Sequence, residues 1–212
     1  MSVICPSITA IDAKAYREQM ARVAPFATRV HIDFSDGVLA PIKLINPAQA
    51  YWPDGMVADL HLMYTHPTEQ LETVVSLKPS LVIVHAEAEG DVLGMLRQLR
   101  AVNIKTGVAL LQKTDPHAAA DVITEADHVL IFSGTLGQFG GTADLDLLGK
   151  IGKIHAINPE AEIGWDGGVN ADNASNLTLG GVDVLVAGGA IHKAVDPAAA
   201  YADLVKVVRA VE

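Results

Sequence analysis

Three pairs of residues able to bind a metal or move a proton stand two positions apart: His31 and Asp33, Asp59 and His61, His85 and Glu87. A fourth pair, Glu162 and Asp166, is four apart. Side chains alternate along a strand, so an even spacing puts both members of each pair on one face. Imidazole and carboxylate are ligands for divalent transition metals, and imidazole changes its charge near neutral pH. The sharpest case is His31-Ile32-Asp33-Phe34-Ser35-Asp36-Gly37. There His31, Asp33 and Ser35 share a face, and Val30, Ile32 and Phe34 share the other. A buried parallel strand is ordinarily apolar on both faces. Departures from such packing rules tend to mark function.

Strand elements must carry these pairs, and the hydrophobic pattern supplies eight. They are expected over Val3–Ile8, Thr28–Phe34, Met56–Met63, Leu81–His85, Lys105–Leu111, His128–Phe132, Ala161–Asp166 and Val182–Ala187. Helical segments alternate with them, over about 13–23, 48–51, 69–76, 90–101, 116–123, 145–157, 172–179, 190–193 and 197–211. Asp12 is a ready N-cap for the first, and Thr65 or Thr68 for the third. Strict alternation implies parallel strands with right-handed crossovers. Eight units predict a closed (β/α)8 TIM barrel, one domain over residues 1–212. An open doubly wound sheet would carry a glycine-rich turn after its first strand. Here that turn is Pro6-Ser7-Ile8-Thr9, and the glycines come late.

Functional groups of a barrel sit at the C-terminal ends of its strands. Closure therefore predicts that His31, Asp33, His61 and Asp166 converge at one mouth. Two imidazoles and two carboxylates suit one divalent ion: Zn, Fe, Mn or Co. Asp59, Met63, His85 and Glu87 lie on the same strand faces and are expected to flank the site. Gly140-Gly141, Gly167-Gly168 and Gly188-Gly189 each follow a strand. Glycine lets backbone N–H groups approach an anion closely, so these turns read as a phosphate cradle that requires no lysine.

Composition bounds the partners. The formal net charge of −10 over 212 residues argues against nucleic acid or an anionic membrane. Cys5 is the single cysteine, so no intrachain disulfide forms, and its apolar surroundings predict a buried, inert thiol. No apolar run reaches about 18 residues, and no signal segment is visible, so the cytoplasm is the expected location. A homo-oligomer is compatible with all of this.

Taken together, the chain resembles the ribulose-phosphate 3-epimerase family over nearly its full length. The resemblance rests on Cys5-Pro6-Ser7-Ile8, His31 to Gly37, Asp59-Leu60-His61-Leu62-Met63, Val84-His85-Ala86-Glu87, Phe139-Gly140-Gly141, Asp166-Gly167-Gly168-Val169 and Val186-Ala187-Gly188-Gly189-Ala190-Ile191. It implies a metal held by His31, Asp33, His61 and Asp166, with Asp33 and Asp166 as the acid/base pair. It implies that Ser7 and His61 touch a sugar and that the late glycines bind its phosphate. The implied reaction is epimerisation at C3 of a ketose phosphate, D-ribulose 5-phosphate to D-xylulose 5-phosphate. The rivals are a hexulose 6-phosphate such as D-allulose 6-phosphate, a lyase on the same barrel, and a catalytically weak phosphosugar-binding barrel. The family usually has Met where Ser35 and Phe132 stand, forming with Met63 an apolar lid. The loop at 133–142 is one residue longer than the family's and lacks its Pro.

Overall fold

A computed structural model describes residues 1–138 and 141–211. The strands are β1 (Val3–Thr9), β2 (Arg29–Ser35), β3 (Val57–Met63), β4 (Leu81–His85), β5 (Lys105–Leu110), β6 (His128–Phe132), β7 (Glu162–Asp166) and β8 (Val184–Ala187). Each pairs in parallel with the next, and β8 returns to β1, closing the barrel. The helices are α1 (Ala13–Val23), α2 (Leu71–Leu77), α3 (Val92–Ala101), α4 (Ala120–Thr124), α5 (Gly149–Ile157), α6 (Ala174–Leu179), α7 (Gly189–His192) and α8 (Pro197–Arg209).

Helix starts follow local chemistry. Asp12, Asp91 and Asp196 accept the N–H of Ala15, Gly94 and Ala199, satisfying donors that a helix N-terminus leaves free. Pro197 then occupies the first turn of α8, where its missing N–H costs nothing. The expected caps Thr65 and Thr68 do not start a helix. Pro67 opens a 3-10 turn over Pro67–Gln70 instead, and α2 begins only at Leu71. Likewise the segment expected at 145–157 begins as a 3-10 turn, capped by Asp144, before α5.

Two cores result from the alternation of strand side chains. Outward residues such as Val30, Ile32, Phe34 and Trp165 pack beneath the helices, joined there by Tyr16, Met20 and Val23 of α1. Burying one large apolar side chain is worth about 1.5–3 kcal/mol, so this layer supplies most of the stability. Leu81, Ile83, Ala109, Leu130 and Val186 form a separate cluster inside the barrel. Gly107 and Gly164 leave room there, since a Cβ at either would collide with Ile83 or His128.

At the N-terminal end of the strands lies a polar floor. Arg29 donates from Nη1 and Nη2 to the two Glu162 oxygens at 3.0 and 2.8 Å, and from Nε to Asp59 Oδ2 at 2.7 Å. His128 Nδ1 sits 2.8 Å from Glu162 Oε2. Asp59 was expected to flank the mouth; it belongs to this floor, because two residues along a strand lower it by a full layer beneath His61. No helix among the described residues is long and apolar enough to cross a membrane.

Candidate active site

The parallel register decides which side chains meet. It pairs Thr9 with Asp33 and Asp33 with His61 across β1, β2 and β3. Asp166 comes from the end of β7, beside Phe132 of β6. His31, Asp33, His61 and Asp166 each offer one ligand atom, and these atoms all lie within 4.8 Å of one another. Asp33 Oδ1 lies 3.0 Å from His61 Nδ1 and 3.2 Å from His31 Nε2. Asp166 Oδ2 lies 3.9 Å from His31 Nε2 and 4.0 Å from His61 Nδ1.

These residues fit a divalent cation. His31 Nε2 is buried and makes no hydrogen bond, despite its closeness to Asp33. A buried polar atom without a partner is costly, and a cation between the two nitrogens and two oxygens would satisfy it.

The electrostatics separate the two carboxyls. Burial alone would push Asp33 up, but the imidazoles of His31 and His61 outweigh it and hold the group well below the usual carboxylate range. Asp166 is pushed up to about 7 by burial and by the Asp33 charge. His61 is driven down to about 3, chiefly by burial, with neighbouring imidazoles adding to it. For His31, burial is outweighed by Asp33 and Asp166, and its proton is held more tightly than usual. Without a cation, Asp33 is the carboxyl that stays ionised and Asp166 the one that holds a proton more readily. A cation placed among the four would pull Asp166 back down.

Asp33 and Asp166 open onto a cavity of about 230 Å³ that also exposes Ser7, Thr9, Met63 and Phe132. Pockets for drug-sized ligands run to roughly 300–1,000 Å³, so this one suits a small metabolite. Its far wall is backbone: Gly141, Gly167, Gly168, Gly188 and Gly189. Gly140 falls outside the described residues. The N–H groups of Gly189 and Ala190 open the first turn of α7 and have no acceptor within it. Gly167 and Gly168 have φ of 116° and 73°, and a Cβ at either would strike the backbone at Gly134 or Ala143. Their glycine requirement comes from the close approach of the loop after β6.

Residues 3–192 match the model of the Ribulose-phosphate 3 epimerase family. The chain belongs to that family. Ribulose-phosphate 3-epimerase of Mycobacterium leprae is 31% identical, covering 95% of this chain and 93% of its own. The protein of that name from Helicobacter pylori is 30% identical over 91% and 92%. The chloroplastic ribulose-5-phosphate-3-epimerase of Arabidopsis thaliana is 29% identical over 98% and 76%. Among solved structures, 3-hexulose-6-phosphate synthase from Salmonella typhimurium superposes with a TM-score of 0.75 at 16% identity, covering 100% of both chains. KGPDC from Streptococcus mutans gives 0.74 at 11%, over 100% of this chain and 99% of that one. These two likenesses show the barrel fold. As a member of the ribulose-phosphate 3-epimerase family, the chain is an isomerase acting on carbohydrate.

Against the family pattern, Phe132 keeps an apolar surface at the mouth. Its ring centroid lies 6.1 Å from that of His61 and 6.0 Å from that of His85, and the side chain lines the cavity beside Met63. Ser35 is fully buried, and its Oγ accepts the N–H of Gly37. Two residues escaped the sequence reading. Thr9 shares the face of Ser7, and its Oγ1 donates to Asp33 Oδ2 at 2.6 Å. Lys193 lines the cavity one helical turn after Gly189, so the cradle has a cation at its rim after all. His85 and Glu87 stand behind His61, away from the cavity.

Proposed function

We propose that the enzyme inverts C3 of a ketose phosphate, with D-ribulose 5-phosphate and D-xylulose 5-phosphate as the interconverted pair. The observation that supports this most directly is the placement of Asp33 and Asp166, two carboxyls from β2 and β7 that open onto the same small cavity. The ionised carboxyl removes the C3 proton. The protonated one delivers a proton to the opposite face, and the reverse reaction exchanges their roles.

His31, Asp33, His61 and Asp166 would hold the divalent ion. When bound, it supplies charge stabilisation for the substrate oxygen that becomes negative as the proton leaves. His61 has no exposed surface and does not line the cavity, so its role is assigned to the ion and not to the sugar. Ser7 and Met63, which line the cavity from β1 and β3, would contact the sugar. The phosphate would rest on backbone N–H groups at Gly168, Gly188 and Gly189, with Lys193 nearby. Remote binding of that group holds C3 between the carboxyls.

Incubation of D-ribulose 5-phosphate with the metal-loaded protein in D2O tests the reading. Deuterium is expected at C3 of both epimers, faster than for D-allulose 6-phosphate. Asp33→Asn and Asp166→Asn should each lower kcat by at least roughly 10²-fold without unfolding the chain, the scale of a lost general acid or base. Products with no deuterium at C3 would rule out proton abstraction there. Faster turnover of the hexulose phosphate would reassign the substrate.

A further inference from the structure

Behind the proposed metal ligand His61 runs a chain of polar contacts, buried at its two imidazoles, whose members do not line the cavity. His61 Nε2 lies 2.9 Å from His85 Nε2. His85 Nδ1 lies 3.3 Å from Glu87 Oε2. Glu87 Oε1 accepts the N–H of Leu111 at 3.0 Å and the hydroxyl of Thr114. Both imidazoles are completely buried, so no water competes for these nitrogens.

Two nitrogens facing each other at hydrogen-bond distance share one proton, so the chain has a direction. It can point either way from His61 and His85 alone. Glu87 breaks the tie. A carboxylate only accepts, so His85 must present Nδ1–H to it. In the neutral ring that leaves His85 Nε2 as an acceptor, which requires the proton to sit on His61 Nε2. The lone pair of His61 Nδ1 then points at Asp33 Oδ1 and the ion position. The opposite direction would put a proton on Nδ1, where the cation must bind.

We infer that His85 and Glu87 are positioning residues that fix the tautomer of His61 and so keep its Nδ1 open for the metal. The inference rests on the reading of His61 as a ligand. It extends the usual device, a metal-bound histidine whose other nitrogen donates to a carboxylate, by inserting a second imidazole between them.

Glu87→Gln tests it at constant shape. The Leu111 N–H cannot reverse its polarity, so the amide oxygen stays on that side. The amide NH2 then faces His85 Nδ1, and every proton in the chain shifts the wrong way. Zn²⁺ and Co²⁺ affinities, read by competition with a chromophoric chelator, should fall roughly 10- to 100-fold, the scale of a lost outer partner. The Co²⁺ absorption spectrum should change with them. His85→Gln, whose carboxamide can accept from His61 and donate to Glu87, should bind metal nearly as wild type does. In the Zn²⁺-loaded wild-type protein, ¹⁵N spectra of the imidazoles should show protons on His61 Nε2 and His85 Nδ1. Unchanged metal affinity in Glu87→Gln, or a His85 proton found on Nε2, would overturn the inference while leaving the metal site standing. A wild-type protein that binds neither ion would overturn the metal reading and this inference with it.

Discussion

Thr9 holds Asp33 from the side opposite the histidines. Its Oγ1 donates to Asp33 Oδ2 at 2.6 Å while Oδ1 faces His61 and His31. Thr9 is itself fixed by Gln19, whose side chain accepts the Thr9 N–H at 2.9 Å and donates to its carbonyl at 3.0 Å. The proposed base is therefore held from β1 as well as from the histidines. Thr9→Val keeps the shape and removes the donor. A hydrogen bond to a charged group is worth about 1.5–3 kcal/mol, so kcat should fall roughly tenfold or more, and Thr9→Ser should recover most of it. A Val variant with wild-type kcat would show that Asp33 needs no such restraint.

Metal uptake should depend on pH in a definite direction. His31 and Asp166 both hold protons above their ordinary ranges, Asp166 up to about 7. A cation must displace those protons, so binding strengthens as pH rises through the range in which the two groups lose them and levels off once both are deprotonated. Asp33 is already ionised and His61 already neutral there, so neither adds to the slope. Calorimetry of Zn²⁺ binding in buffers of different ionisation enthalpy should count more protons released at pH 6 than at pH 8. Equal release at both would contradict the shifted pair.

The phosphate reading is best tested at Gly188. Substituting Gly167 or Gly168 would break the contact with the loop after β6, whatever the ligand. Gly188 has φ of −97°, which any residue adopts, and it lines the cavity. Gly188→Val should raise KM for a sugar phosphate strongly with the fold intact. Lys193 is exposed, so Lys193→Met should raise KM less, and the difference should fade as salt screens it. Unchanged kcat/KM in Gly188→Val would place the phosphate elsewhere.

Stability should respond most sharply at the floor. Arg29→Met leaves Asp59, whose side chain is 2% exposed, without its cation. Breaking a buried pair by removing one partner costs about 3–5 kcal/mol. Urea unfolding should record a loss of that size. A loss below about 1 kcal/mol, the range of exposed pairs, would mean that solvent reaches the floor.

The grouping of His31, Asp33, His61 and Asp166 was legible because each lies on a strand at even spacing to a second polar residue, which puts both on the barrel's inner face. The boundaries of α1, β4 and β6 came out as expected because apolar periodicity and a capping Asp or a compact Val/Ile/Leu run define them. Height along a strand was not legible. Parity gives the face of Asp59 but not its layer, and Arg29 binds it from the neighbouring strand while reaching across to β7. Lys193 lay outside every glycine motif, and one turn of helix brings it back to the cavity. Asp36 shows the same limit. It accepts the N–H groups of Val38, Leu39 and Thr65, tying two loops together, and long-range loop contacts leave no local pattern.

The floor also governs traffic. Arg29, Asp59, Glu162 and His128 close one end of the barrel, and Leu81, Ile83, Leu130 and Val186 fill the space above them. An ion and a sugar bound at the proposed site would then share the mouth lined by Asp33 and Asp166. A sugar phosphate seated there would stand between the ion and solvent, so the ion would not leave first. Exchange of labelled zinc should slow in proportion to the fraction of protein carrying substrate. An epimerase built this way would keep its metal longest when it is busiest and surrender it to a chelator when idle.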